Sequence, residues 1–209
     1  MPKRCVVLGD VVASRDIGDR EAFRERLLEA CAAANETLDD AVVAGFTPQK
    51  GVDEFGGVLE TPARLYDAVD TIARYLHPEE VRFAVAWGEV DVAPDANDVQ
   101  QMDGPVFHRA DELQDSIADT PFRFAMDLDD PPLDDTLGDE INLLLLRKAE
   151  WTERQRRIAA RYAELGSQAA VADELDVSQP AVSQSLARAN YRVLREIEGR
   201  LRTTLERYE

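Results

Sequence analysis

An α+β chain in two parts is predicted by three observations. Short apolar runs alternate with helical periodicities over residues 1–126, an acidic, proline-broken stretch follows at 127–140, and residues 141–209 read as helices only.

Cys5-Val6-Val7-Leu8 is a short apolar run stopped by Gly9-Asp10, which predicts a buried strand. Phe23, Leu27, Leu28, Cys31 and Ala32 recur at helical spacing, so Arg20 to Leu38 is expected to be an amphipathic helix. Two β-rich runs, Ala41 to Phe46 and Phe55 to Leu59, flank Gln49-Lys50-Gly51-Val52-Asp53-Glu54 and predict a hairpin over 41–60. Thr61-Pro62 supplies N-cap and N1 signals for a helix to about Leu76. Val81, Phe83, Val85 and Trp87 alternate as in a strand. The resulting order, β-α-β-β-α-β, is the split arrangement of ferredoxin-like folds. An acidic loop (Asp91 to Met102), a helix (Val106 to Ile117) and a short strand (Phe122 to Met126) complete the first domain, 1–126. Residues 127–140 combine acids with Pro131-Pro132 and read as a linker.

The last part, 141–209, has the punctuation of a helix-turn-helix domain. Thr152-x-x-Gln155 is a capping box for a helix that Gly166 ends, and Ser167 caps a short second helix. Asp176 falls at the turn, and Ser178 caps a third helix with Pro180 in its first turn. Ala172, Val177, Val182 and Leu186 are the small and apolar positions that hold two helices at a steep angle. Gln179, Ser183, Gln184 and Arg188 are left facing outward, able to hydrogen-bond base edges in a major groove; Arg192 can reach phosphates, and Gln168 and Ser178 can meet the backbone from helix starts. The expected partner is DNA. A long amphipathic helix from Tyr191 to Tyr208 carries Val193, Leu194, Ile197, Leu201 and Leu205 with no obvious partner, so it is expected to form a homodimer or to pack on the first domain.

Charge separates the two parts. Residues 1–149 hold 14 Lys and Arg against 32 Asp and Glu, giving the whole net charge of −18; residues 150–209 hold 10 against 10, giving zero. Only Lys3, Lys50 and Lys148 are lysines among 24 basic residues, a balance expected of a salt-rich, halophilic cytoplasm in which self-repulsion is screened. Cys5 and Cys31 are too few for a disulfide framework and lack metal spacing. No apolar run approaches a membrane span, and a cytoplasmic location is expected.

In the predicted topology the end of the first strand neighbours the tip of the hairpin, which brings Asp10 beside Asp53 and Glu54. Carboxylates so close repel, and Mg²⁺ relieves the repulsion while leaving positions for phosphate oxygens. The backbone of Val11 to Arg15, including Ser14, together with Gly51 and the cations Arg15 and Lys50, is placed to receive a nucleotide's phosphates.

Gly9-Asp10-Val11-Val12-Ala13-Ser14-Arg15, Gly51-Val52-Asp53-Glu54-Phe55, Arg82-Phe83, Gly88-Glu89, Asp103-Gly104-Pro105 and the C-terminal helices together resemble the SatD family over nearly the whole chain. The first part also resembles the palm of nucleotidyl cyclases, including GGDEF diguanylate cyclases. That resemblance implies that Asp10 and Asp53 match metal-binding acids and Glu54 the acid beside them. Two positions depart from these patterns: Val52 replaces the second glycine of GGDEF, and Gly56 stands where SatD proteins usually have Gln. The sequence reading is a DNA-binding transcriptional regulator with a palm domain that senses a nucleotide with Mg²⁺, favoured over a nucleotidyl cyclase or nucleotide hydrolase tethered to DNA.

Overall fold

The computed structural model describes residues 1–49, 51 and 53–208. The chain divides into two units: Met1–Leu145 with the returning segment from Arg202 onward, and Leu146–Leu201.

The first unit is mixed α and β. Its strands are β1 (Lys3–Val11), β2 (Val42–Pro48), β3 (Glu54–Leu59), β4 (Val81–Glu89) and β5 (Phe124–Asp127). Its helices are α1 (Arg20–Thr37), α2 (Leu65–Leu76), α3 (Pro105–Ile117) and the start of α4 (Pro131–Ala149). The strands form one sheet in the order β2-β3-β1-β4-β5. β1 runs antiparallel to both β3 and β4, β2 antiparallel to β3, and β5 parallel to β4.

β1 is central because its apolar run is buried on both faces: Cys5, Val6 and Val7 have no exposed surface. On one face Val6, Leu8, Val58 and Ala86 join Val106 and Ala110 of α3 in a core cluster. α1 and α2 pack on each other, and α1 also meets β2. There the Asn35 side chain donates to the Phe46 carbonyl (3.1 Å) and accepts from the Phe46 N–H (2.7 Å), tying α1 to β2. Burial raises both thiols, Cys31 to about 12 and Cys5 further, so both behave as small apolar residues.

The expected linker at 127–140 is not one. β5 ends at Asp127, and α4 begins at Pro131. Prolines are compatible with a first helical turn, and Leu137, Ile141 and Leu144 bury an i, i+4, i+7 stripe that the acidic composition masks. The Asp134 carboxylate, 6% exposed, accepts the N–H groups of Leu128 (3.0 Å) and Asp130 (3.2 Å). Asn142 of α4 accepts from the Phe124 N–H (3.0 Å) and donates to its carbonyl (2.9 Å), which satisfies the outer backbone of the edge strand β5. The boundary between units therefore falls at 145/146 instead of 140/141.

The second unit holds α5 (Glu153–Leu165), α6 (Gln168–Glu174), α7 (Gln179–Arg188) and most of α8 (Tyr191–Leu205). Ile158, Ala159, Val171, Ala172, Val182 and Leu186 form its core. The α8 stripe is covered within the chain: Leu194, Leu201 and Leu205 are buried, while Val193 stays exposed. From Arg202 the chain belongs to the first unit, where Arg202 Nε donates to Asp67 Oδ1 of α2 (2.7 Å) and the final turn, Glu206–Tyr208, packs on the single turn Pro62–Arg64.

Candidate functional site

The register of the sheet builds the site. Asp10 on β1 pairs with Glu54 of β3 on one side and Arg82 of β4 on the other. Residues directly opposite share a face, so Glu54, Asp10 and Arg82 form a row at the end of the sheet, on the face that carries Leu8 and Ala86 deeper in. Asp53 sits at the hairpin turn, where its carbonyl accepts the Val11 N–H (3.1 Å). Ser14, itself buried, donates its hydroxyl to Asp53 Oδ2 at 2.5 Å and holds that carboxylate.

Two glycines are required by this packing. A Cβ on Gly9 would stand 2.0 Å from the Phe55 ring, so only glycine lets the hairpin lie flat on β1. Gly51 has φ +69°, and a Cβ there would lie 2.8 Å from Asp53 Oδ1, so glycine makes the turn and leaves that oxygen approachable.

Burial is the main cause raising Asp10 above the ordinary carboxylate range; the Arg82 guanidinium, donating at 3.2 Å, pulls it down, and the Asp53 charge pushes it up. The two acids thus feel each other. Mg²⁺ commonly takes one or two carboxylates and completes its shell with water and phosphate oxygens. Asp10 and Asp53 are hard oxygen donors of the type Mg²⁺ takes, each with one oxygen already engaged, by Arg82 and by Ser14. Among the described residues no three His, Cys, Asp or Glu side chains gather round one ion position, so the expected trio with Glu54 is not assembled. Glu54 is bound to its strand register beside Asp10.

The remaining sequence candidates separate. Arg15 is exposed and has no described partner. Ala13, at φ 54° and ψ 33°, precedes the single turn Ser14–Asp16. A left-handed residue followed by right-handed ones points successive N–H groups to one side. Lys50, and the departure at Val52, lie outside the described residues. Arg82 is the residue that site reasoning from the sequence overlooked; strand alternation, which turns Val81 and Phe83 to one face, already put it on the other, and the order β1-β4 put it beside Asp10.

In the second unit the caps form as expected. Thr152 and Gln155 make the reciprocal box, Ser167 accepts from Ala170 N–H and Ser178 from Ala181 N–H (3.4 Å each). Gly166 and Asp176 take positive φ, 64° and 51°, at the two turns. Gln179, Ser183, Gln184 and Arg188 of α7 and Arg192 of α8 are exposed together with Ser178, and Gln168 is half-buried.

The end of a sheet bearing neighbouring acids and a small helical unit with an exposed polar helix together define a two-unit protein with, among the described residues, a candidate ion site. The chain belongs to the SatD family, whose profile matches residues 5–198. Among solved structures, two of a bacterial light-regulated adenylyl cyclase are similar, each at 15% identity and a TM-score of 0.43, covering 59% of this chain and 42% of theirs. The chain thus spans less than half the length of those proteins. No curated protein matches. Among the described residues no helix is long and apolar enough to cross a membrane.

Proposed function

We propose that this SatD-family chain is a DNA-binding transcriptional regulator whose first unit, read as a ferredoxin-like palm, binds a nucleotide with Mg²⁺. The observation that carries the reading is the Asp10–Asp53 pair at the end of the sheet, with Ser14 fixing Asp53. Asp10 and Asp53 would hold the ion, and Arg15, Gly51, Lys50 and the N–H groups around Ser14 would receive phosphates. Glu54, one register step away, is left to polarise a ligand hydroxyl or a bound water. The second unit is read as a helix-turn-helix: α6 and α7 meet at a turn built on Asp176, and the exposed side chains Gln179, Ser183, Gln184 and Arg188 are of the types that read base edges. A homodimer would present two such helices to a two-fold operator.

Selection from a random duplex library at high salt tests the reading. Wild type is expected to enrich one sequence motif and Gln184→Ala to lose it; no enrichment by wild type contradicts the regulator. If pure protein with Mg²⁺ instead turns over nucleoside triphosphates, and Asp53→Ala abolishes the turnover, the unit is a nucleotidyl cyclase or nucleotide hydrolase.

A further inference from the structure

Among the described residues Arg82 holds Asp10 through one contact, Nη1 to Oδ2 at 3.2 Å, and its buried Nε has no hydrogen-bond partner. A guanidinium has five donors in a rigid fork, and here Nε goes unused, as it does in Arg26, Arg156 and Arg161. The other acids near the end of β4 do not complete it: Glu80 is engaged by Arg123, whose Nε donates at 2.6 Å, and Glu54 lies on the far side of Asp10 in the sheet. The side chain is 18% exposed while its Nε has no exposed surface, so a ligand would be met by the terminal nitrogens of the fork. Arginine's fork matches phosphate oxygens in pairs.

We propose that Arg82 is a stand-in cation: in the free protein it neutralises Asp10, and when Mg²⁺ with a nucleotide binds it releases Asp10 and takes the phosphate oxygens. The inference rests on the ion site proposed above and deepens it, because it makes the ligand a metal–polyphosphate complex and the bare ion a poor substitute. Without phosphates, an ion must displace a guanidinium that has nowhere else to go. With them, the guanidinium keeps a full set of anionic partners.

The test uses the full chain with Mn²⁺ as the paramagnetic probe, alone and with inorganic triphosphate, followed by electron paramagnetic resonance; circular dichroism monitors the fold. Arg82→Gln is expected to bind bare Mn²⁺ about fivefold more tightly than wild type, because a competing charge is gone. The same variant is expected to bind Mn²⁺–triphosphate about tenfold more weakly, because charge-assisted bonds to phosphate are lost. Should Arg82→Gln not fold, Arg82→Lys carries the test: bare Mn²⁺ affinity stays within about twofold, and triphosphate affinity falls about threefold as the paired geometry is lost. If wild type binds Mn²⁺ through Asp53 but neither variant changes either affinity in these directions, the stand-in role is overturned and the ion site survives. If wild type binds Mn²⁺ in neither form, both are overturned.

Discussion

The end of the sheet in the first unit and the exposed face of α7 in the second are both polar, but they are polar for opposite reasons. At the sheet end, Asp10, Arg82 and Asp53 are held by register, by Ser14 and by glycines that admit Phe55 and the turn, so each group has little freedom. On α7 the side chains project from a helix whose caps and core are formed by other residues, so each can change without touching the fold. A site that binds a small charged ligand requires the first kind of construction. A face that reads a long polymer tolerates the second, since its contacts are many and separately adjustable. The charges follow the same division, with the whole net charge in residues 1–149.

Substitutions can break this contrast. The largest effect is expected for Gly9→Ala, where the new methyl group would sit 2.0 Å from the Phe55 ring; a loss of about 3 kcal/mol in denaturant unfolding is expected from such overpacking. Gln184→Ala on α7, by contrast, is expected to leave unfolding within about 0.5 kcal/mol of wild type. Asp134→Ala removes a buried acceptor from two backbone N–H groups and is expected to cost about 2 kcal/mol, which a true linker residue would not. Ser178→Ala is expected to cost about 1 kcal/mol as a lost N-cap.

A further small effect concerns pH. Hydrogen bonds from Arg109, then Lys3, lower Asp129 below the usual carboxylate range. A carboxylate lowered on folding adds stability above its unfolded value and loses it as pH falls through the folded value. Asp129 is about half exposed, so Asp129→Asn is expected to cost under about 1 kcal/mol at pH 7, the difference from wild type closing as pH drops below about 4. A constant difference across that range would show that the ion pairs do not act through charge.

Much of this contrast was legible in the sequence, unevenly. The helix boundaries inside the second unit were readable because Thr152, Gly166, Ser167, Asp176 and Ser178 act locally, through their own backbone. The β-α-β-β-α-β order of elements was readable from periodicity, whereas the strand order β2-β3-β1-β4-β5 and the register that sets Asp10 beside Glu54 come from pairing across the sheet. Arg82 was not assigned to the site because its meaning comes from a neighbouring strand 72 residues away. The helix at 131–149 was obscured because Pro131-Pro132 and the acids dominate its composition, while the burial of Leu137, Ile141 and Leu144 is a tertiary fact.

The central proposal, following from a regulator whose first unit binds a nucleotide with Mg²⁺, is that ligand at the acid pair alters DNA reading by the second unit. Its most direct measurement is the anisotropy of a selected, labelled duplex titrated with wild type and Asp53→Asn at fixed high salt, with and without Mg²⁺ and a mixture of nucleoside triphosphates. A coupling of typical size predicts that the ligand shifts wild-type affinity by about fivefold or more and leaves the variant unmoved. Equal affinities with and without ligand in wild type would contradict the claim.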